Sequence, residues 1–291
     1  MQLVIHAGAH FTEENRLVKS LLRNKSLLHS QGVTVPGPGK YKTLLRETLV
    51  AMGDTGLSAQ ARDTLLDAIL DGETADRVVL SSAHVLGWPR AAIRRGRIYP
   101  SAPDRIALLT TLFCDEDIEL FMAIRNPATF IPSCFQKHPE EDILEYLGGI
   151  DPRRFRWSDT FKAIRSAAPE VPITVWCNEE APFLWSQIIR DMGGLGYHEP
   201  ITGGFDLFAS IISNDGLGRF TDYIQSKPDI SEIHTRRVMA AFLEKFAIDE
   251  EVEEEVDVQG WSVELVDEMT ELYEEDIATI ARIPGVELLT V

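Results

Sequence analysis

The sequence predicts an α/β fold of three layers, with helices on both faces of a central parallel sheet. Three observations point to it. Short apolar runs recur at Gln2–His6, Arg77–Ser82, Ile118–Ile124 and Pro172–Cys177. Segments of helical apolar spacing, ten or more residues long, separate them. The run over Ile118–Ile124 is apolar at nearly every position, as in a strand buried on both faces. Strands alternating with helices of that length form right-handed βαβ units.

The elements follow in order. Gln2–His6 is the first strand, and the turn Ala7-Gly8-Ala9-His10 leads into a helix from about Glu13, where Leu17, Val18, Leu21, Leu22 and Leu28 repeat at helical spacing. Thr12 reads as its N-cap and Gly32 as its stop. Val33–Val35 is a minor strand, and Pro36, Gly37, Pro38 and Gly39 together read as loop, since each breaks regular structure. Helices are predicted near 40–52 and 58–71, a strand over Arg77–Ser82, a helix over Ala102–Phe113 and a strand over Ile118–Ile124. Asn126 is placed to cap a helix that admits Pro127 in its first turn, and Pro132 is expected to shorten or kink it. Pro172–Cys177 is another strand, followed by an amphipathic helix over 181–192 that ends at Gly193 and Gly194. From about 205 the pattern turns helical, most clearly at Arg236–Ala247 and Val263–Ile283. Between these, the acidic stretch Asp249–Asp257 reads as a linker or a solvated helix face. All 291 residues are expected to form a single domain whose part from about 205 is helical.

The formal charge is −18, from 46 acidic and 28 basic side chains. That balance opposes the phosphate contacts of nucleic-acid binding and attraction to anionic lipid, so neither nucleic acid nor membrane is expected as a partner. An anion site on such a chain needs its own local cluster of donors. Cys114, Cys134 and Cys177 are odd in number and far apart, which supports neither a disulfide framework nor a zinc ribbon. With no basic leader before His6 and no apolar run long enough to span a bilayer, a cytoplasmic protein is expected. His6 and His10 lie across a strand and a turn with no third ligand in view, and no metal site is expected.

Ligands of parallel sheets sit at the carboxyl ends of the strands. The loops after His6, Ser82, Ile124 and Cys177 share that edge. There the strand over Ile118–Ile124 delivers Arg125, and Ser133 follows eight positions later. A guanidinium offers a planar fork of donors to a phosphate, and a hydroxyl from the following helix adds another. Asn178, Glu179 and Glu180 read as an acidic helix start, and Trp176, Phe183 and Trp185 as core aromatics.

Taken together, Leu3–His10 and the Arg125-Asn126-Pro127 segment with Ser133 resemble the sulfotransferase family, whose members bind 3′-phosphoadenosine 5′-phosphosulfate on a P-loop-type fold. Weaker likeness extends over 78–88, 172–194 and the tail from Trp261, including Tyr273–Ile277, whereas 195–260 match nothing. The resemblance implies that Arg125 and Ser133 hold the 3′-phosphate and that the Gly8 to Thr12 backbone, with Thr12, holds the 5′-phosphosulfate. It implies a sulfuryl transfer to a hydroxyl or amine of a small-molecule or carbohydrate acceptor, with no metal. The general base in related enzymes is a histidine or glutamate. In Ser81-Ser82-Ala83-His84 alanine takes the usual glutamate position and His84 stands next to it; His84 or His10 is then the residue that assists proton transfer.

The chain departs from the family after Gly8. Phe11 stands where a lysine is expected, and Glu13, Glu14 and Asn15 replace a glycine and hydroxyl run. A carboxylate about 5.5 Å from a phosphate costs roughly 3 kcal/mol at an effective dielectric of about 20. The helix dipole returns only about 0.3–1 kcal/mol. The alternative expectation is therefore a catalytically degenerate member that acts as a nucleotide-binding or protein-interaction module. A nucleoside-triphosphate kinase or hydrolase is weaker, because no G-x-x-x-x-G-K-[ST] motif is present.

Overall fold

The computed structural model describes residues 1–13, 15–55, 60–137, 142–252, 256 and 258–291. The expected fold class is the one observed. Six parallel strands form the central sheet: β1 (Gln2–His6), β2 (Val33–Thr34), β3 (Arg77–Ser81), β6 (Asp117–Ile124), β7 (Ile173–Cys177) and β8 (Val286–Leu289). Their order is β2-β3-β1-β6-β7-β8, so β1 lies inside the sheet between β3 and β6. β4 (Ile93–Arg94) and β5 (Arg97–Ile98) form a separate antiparallel hairpin.

Period-2 alternation along the strands divides the core. Leu3, Ile5, Val78, Leu80, Leu120 and Met122 join one apolar cluster with the helices Pro38–Thr55, Ala102–Leu112, Pro127–Phe135, Trp157–Ala167 and Val263–Ile280. Val4, Val79, Phe121 and Ala123 join another with the helices Arg16–Arg23 and Ala181–Gly193. These are the three layers. Each fully buried aliphatic side chain contributes about 1.5–3 kcal/mol, which is why the strands tolerate no polar residue at these positions. Within the helical part from 205, Phe208, Ile212, Phe220 and Met239 form a small core of their own around the helices Asn214–Gln225 and Glu232–Phe246.

Several elements differ from the sequence reading. The first helix starts at Arg16 rather than Glu13, because Asn15 adopts a left-handed conformation (φ 64°) that interrupts the helical path. Thr12 is not its N-cap. The Thr12 hydroxyl instead donates to the Ala9 carbonyl at 2.8 Å, closing the loop on itself, while the Glu13 carboxylate accepts the Leu17 N–H at 3.0 Å. Pro38 and Gly39, expected as loop, open the helix Pro38–Thr55; a proline is tolerated there because its missing N–H is one that a helix start leaves unpaired anyway. Asp249–Val252 is helical, and residues 253–255 and 257 of the acidic stretch lie outside the described residues.

The helix Pro127–Phe135 continues through Pro132 rather than ending there. Asn126 caps it as expected, its side chain accepting the Ala128 N–H at 2.9 Å. Pro132 cannot donate to the Ala128 carbonyl four residues earlier. The indole of Trp261 takes that carbonyl instead, at 2.8 Å. A residue far along the chain thus replaces the lost helical hydrogen bond. Among the described residues, no helix is long and apolar enough to cross a membrane.

Candidate functional site

The carboxyl edge of the sheet gathers the loops after β1, β3 and β6. Hydrogen bonds prolong the strands by one residue: Ala7 N–H donates to the Phe121 carbonyl at 3.0 Å, and Ser82 N–H to the His6 carbonyl at 2.9 Å. The chain then turns at Gly8, whose φ of 54° suits a residue without a Cβ. A Cβ there would lie 3.6 Å from the Ala83 Cα, so Gly8 brings the loops after β1 and β3 into contact. Phe11 also takes a left-handed φ of 60°, a strained state for a bulky side chain. Among the described residues, the backbone N–H groups of Gly8, Ala9, Phe11 and Thr12 find no acceptor. The His10 N–H between them is taken by Tyr99, which leaves two adjacent pairs of free N–H groups, of the kind that line anion-binding concavities in turns. Glu14 lies outside the described residues.

The structure brings His10 and His84 together, their ring centroids 5.4 Å apart with one edge toward the other. His10 is buried, and Tyr99 fixes its tautomer. The Tyr99 hydroxyl accepts the His10 backbone N–H at 2.9 Å, and because the described residues offer its proton no other acceptor, that proton is assigned to His10 Nδ1. Burial holds that phenol well above its ordinary pKa, so the proton stays on it. With Nδ1 as acceptor, His10 Nε2 carries the ring hydrogen. That nitrogen is buried and has no partner. Burial, with a smaller contribution from His84, lowers the His10 pKa to about 4, so the imidazole is neutral at physiological pH. His84 is also shifted downward, first by burial and then by Lys42 and Arg46, and it packs edge-on against Trp88 at 4.6 Å.

His6 is the last residue of β1. Its Nδ1 is 2.9 Å from the Ser81 hydroxyl and 3.9 Å from Glu13, its ring stacks on Trp176, and burial lowers its pKa. Glu13 is only 8% exposed, so its carboxylate belongs to the interior of the loop.

Arg125 enters from the β6 side. Its Nη1 donates to the Phe11 carbonyl at 2.7 Å and its Nε to the Thr129 hydroxyl at 3.0 Å. The arginine therefore reaches the loop after β1, as the sequence suggests, but through a backbone oxygen. Ser133 sits two turns along the helix and donates to the Thr129 carbonyl at 2.9 Å. Thr129 thus links the two members of the expected clamp. Around them Trp157 Nε1 donates to the Arg125 carbonyl at 2.8 Å, Thr270 accepts the Asn126 side chain at 2.9 Å, and Glu179 accepts the Asn126 N–H at 2.7 Å. Tyr273 in turn donates to Glu179 at 3.2 Å.

Beside His84 a cavity of about 190 Å³ opens between the helix Pro38–Thr55 and the loop after β3. Its walls include Lys42, Arg46, Arg105, Ser82, His84 and Trp88. Sequence reasoning missed these cations and Tyr99. Lys42 and Arg46 were within reach, since four residues apart on a helix they share one face. Arg105, on a separate helix, carries no such signal. Among the described residues, no group of three or more His, Cys, Asp or Glu side chains is placed to hold a metal ion.

In comparisons with known proteins, no family model matches this chain and no curated sequence is significantly similar to it.

Proposed function

We propose that this protein is a sulfotransferase-like enzyme that binds 3′-phosphoadenosine 5′-phosphosulfate along the carboxyl edge of the sheet and moves its sulfuryl group to a hydroxyl or amine. The observation that carries the reading is the neutral His10–His84 pair beside a loop of unpaired N–H groups. His10 Nε2–H is a buried donor without an acceptor, and leaving such a donor unpaired costs about 1–3 kcal/mol. A sulfuryl or phosphoryl oxygen satisfies it together with the N–H groups of Gly8, Ala9, Phe11 and Thr12. His84, neutral because burial, Lys42 and Arg46 all disfavour its protonated form, is the general base. The acceptor oxygen bonds to sulfur, the bond from sulfur to the 5′-phosphate oxygen breaks, and the leaving nucleotide keeps that electron pair. The acceptor proton passes to His84. Catalysis on this account is positioning and charge neutralisation.

A specific observation favours the second reading, a degenerate nucleotide-binding or protein-interaction module. Arg125 and Ser133 both donate to the protein itself, and the Glu13 carboxylate lies inside the loop. Binding of the nucleotide as proposed places the 3′-phosphate on a guanidinium that already donates to the Phe11 carbonyl and the Thr129 hydroxyl.

Calorimetric titration with 3′-phosphoadenosine 5′-phosphate, with adenosine 5′-phosphate as comparison, tests both. Micromolar binding that needs the 3′-phosphate and is weakened in Arg125→Ala and Ser133→Ala supports the nucleotide site. Radiolabel transfer to pooled acceptors that is lost in His84→Ala supports the enzyme. No binding of either nucleotide removes the donor, and binding without transfer across a broad acceptor panel leaves the module.

A further inference from the structure

We infer that the cavity walled by Lys42, Arg46 and Arg105 is an acceptor subsite for a small hydroxylated carboxylate, its acid held by Arg105 and Lys42 and its hydroxyl presented to His84. The acceptor role rests on the sulfuryl-transfer reading above. The binding of the acid does not.

The charge balance is the first reason. On a chain of formal charge −18, three basic side chains wall one cavity of about 190 Å³. Their charge is little used by the fold. The Arg105 guanidinium makes no hydrogen bond or ion pair with any described residue. Lys42 has one weak hydrogen bond, to the Asn15 side chain at 3.3 Å, and burial lowers its pKa, a shift that an anion bound nearby would oppose. Arg46 is 3.3 Å from its sequence neighbour Glu47 while its guanidinium lies 5.8 Å over the Trp88 ring. A guanidinium fork matches a planar carboxylate in two-point geometry, which a compact ammonium alone does not provide.

Size and the remaining walls set the rest of the ligand. The cavity exceeds only modestly the roughly 150 Å³ that accommodates one benzene ring. That volume matches a single substituted ring. Leu45, Leu49, Val85 and Trp88 give that ring apolar contact, and Ser82 and His84 meet its polar end. The base assigned to His84 opens directly onto this volume, so a hydroxyl bound here lies next to the group that would take its proton.

The test is calorimetric titration of the whole chain with 4-hydroxybenzoate, without nucleotide, against 4-hydroxybenzyl alcohol and inorganic phosphate. Saturable binding of the acid at one site, at least tenfold tighter than the neutral alcohol, is expected, as a charge-assisted contact requires. Arg105→Gln should weaken it about tenfold or more and Arg105→Lys should restore part of it, with Lys42→Gln as the second variant if Arg105→Gln does not fold. Thermal melting establishes that each variant is folded. Equal binding of acid and alcohol, unchanged affinity in folded Arg105→Gln, phosphate binding tighter than the acid, or displacement of the acid by 3′-phosphoadenosine 5′-phosphate would each overturn the inference. Loss of acid binding while the nucleotide still binds removes this subsite alone. Acid binding with no nucleotide binding removes the donor reading and leaves the acid site standing.

Discussion

Replacing His10 with asparagine is expected to remove a specific part of the protein's acid sensitivity. The His10 pKa is lowered from 6.5 to about 4 because the charged ring would be buried beside Tyr99 and close to His84. The unfolded chain therefore takes up this proton more readily than the folded one. The penalty is absent above pH 6.5, grows as pH falls through that value, and levels off below about pH 4. A shift of one pKa unit corresponds to about 1.4 kcal/mol, so the change between pH 7.5 and 4.5 is about 2–3 kcal/mol of stability from this one group. His10→Asn keeps an acceptor oxygen close to the place of Nδ1, where the Tyr99 proton is received, but does not titrate. Urea unfolding followed by tryptophan fluorescence at the two pH values measures both proteins. The wild type should lose about 2–3 kcal/mol more than the variant over that interval. Burial of His6 and the exposed carboxylates act equally on both proteins and cancel in the difference. Parallel pH dependence in the two would refute the buried neutral His10, and with it the unpaired Nε2–H on which the proposed anion site depends.

Other consequences are separately measurable. Asp276 is buried and accepts the N–H groups of both Trp157 and Ser158 at the start of the helix Trp157–Ala167, at 2.7 and 3.1 Å. Asp276→Ala should destabilise the fold by about 2 kcal/mol in urea unfolding, the scale of a lost cap. Trp261→Phe keeps the ring and loses the donor to the Ala128 carbonyl, for which about 1 kcal/mol is expected, read as a lower melting temperature. Gly8→Ala meets no steric barrier closer than 3.6 Å, so its effect is confined to the left-handed backbone, about 1–2 kcal/mol, and thermal melting should register it without loss of the fold.

Much of the architecture was legible because the central strands are buried on both faces and carry continuous apolar runs. Ile118–Ile124 and Pro172–Cys177 needed no tertiary information, and β6 and β7 match them to within one residue. Boundaries set by tertiary contacts were not legible. Nothing local in Ala128 or Pro132 announces that Trp261 will complete their helix, and the two-residue strands β4 and β5 are too short to show a period. The same distinction holds at the candidate site. His10, His84 and Gly8 were found because they sit just beyond strand ends, where the topology itself brings loops together. Arg105 lies on a helix that meets the cavity only through packing, and the link from Arg125 to Phe11 depends on a backbone turn that no residue preference for φ would suggest at a phenylalanine.

The substitution of Trp261 for the hydrogen bond that Pro132 cannot make sets an order of assembly. Trp261, Thr270, Tyr273 and Asp276 complete, respectively, the Ala128 carbonyl, the Asn126 side chain, Glu179 and the helix beginning at Trp157. All four partners precede them by more than ninety positions, and all border the same edge of the sheet. During synthesis, at about 5–20 residues per second, the strands β1, β3, β6 and β7 leave the ribosome before any of these side chains exists. The edge must wait several seconds in an unfinished state, with its capping groups open to solvent. The contacts that finish this edge are thus the last to be synthesised, and they close across sequence separations that raise the entropic cost of forming them.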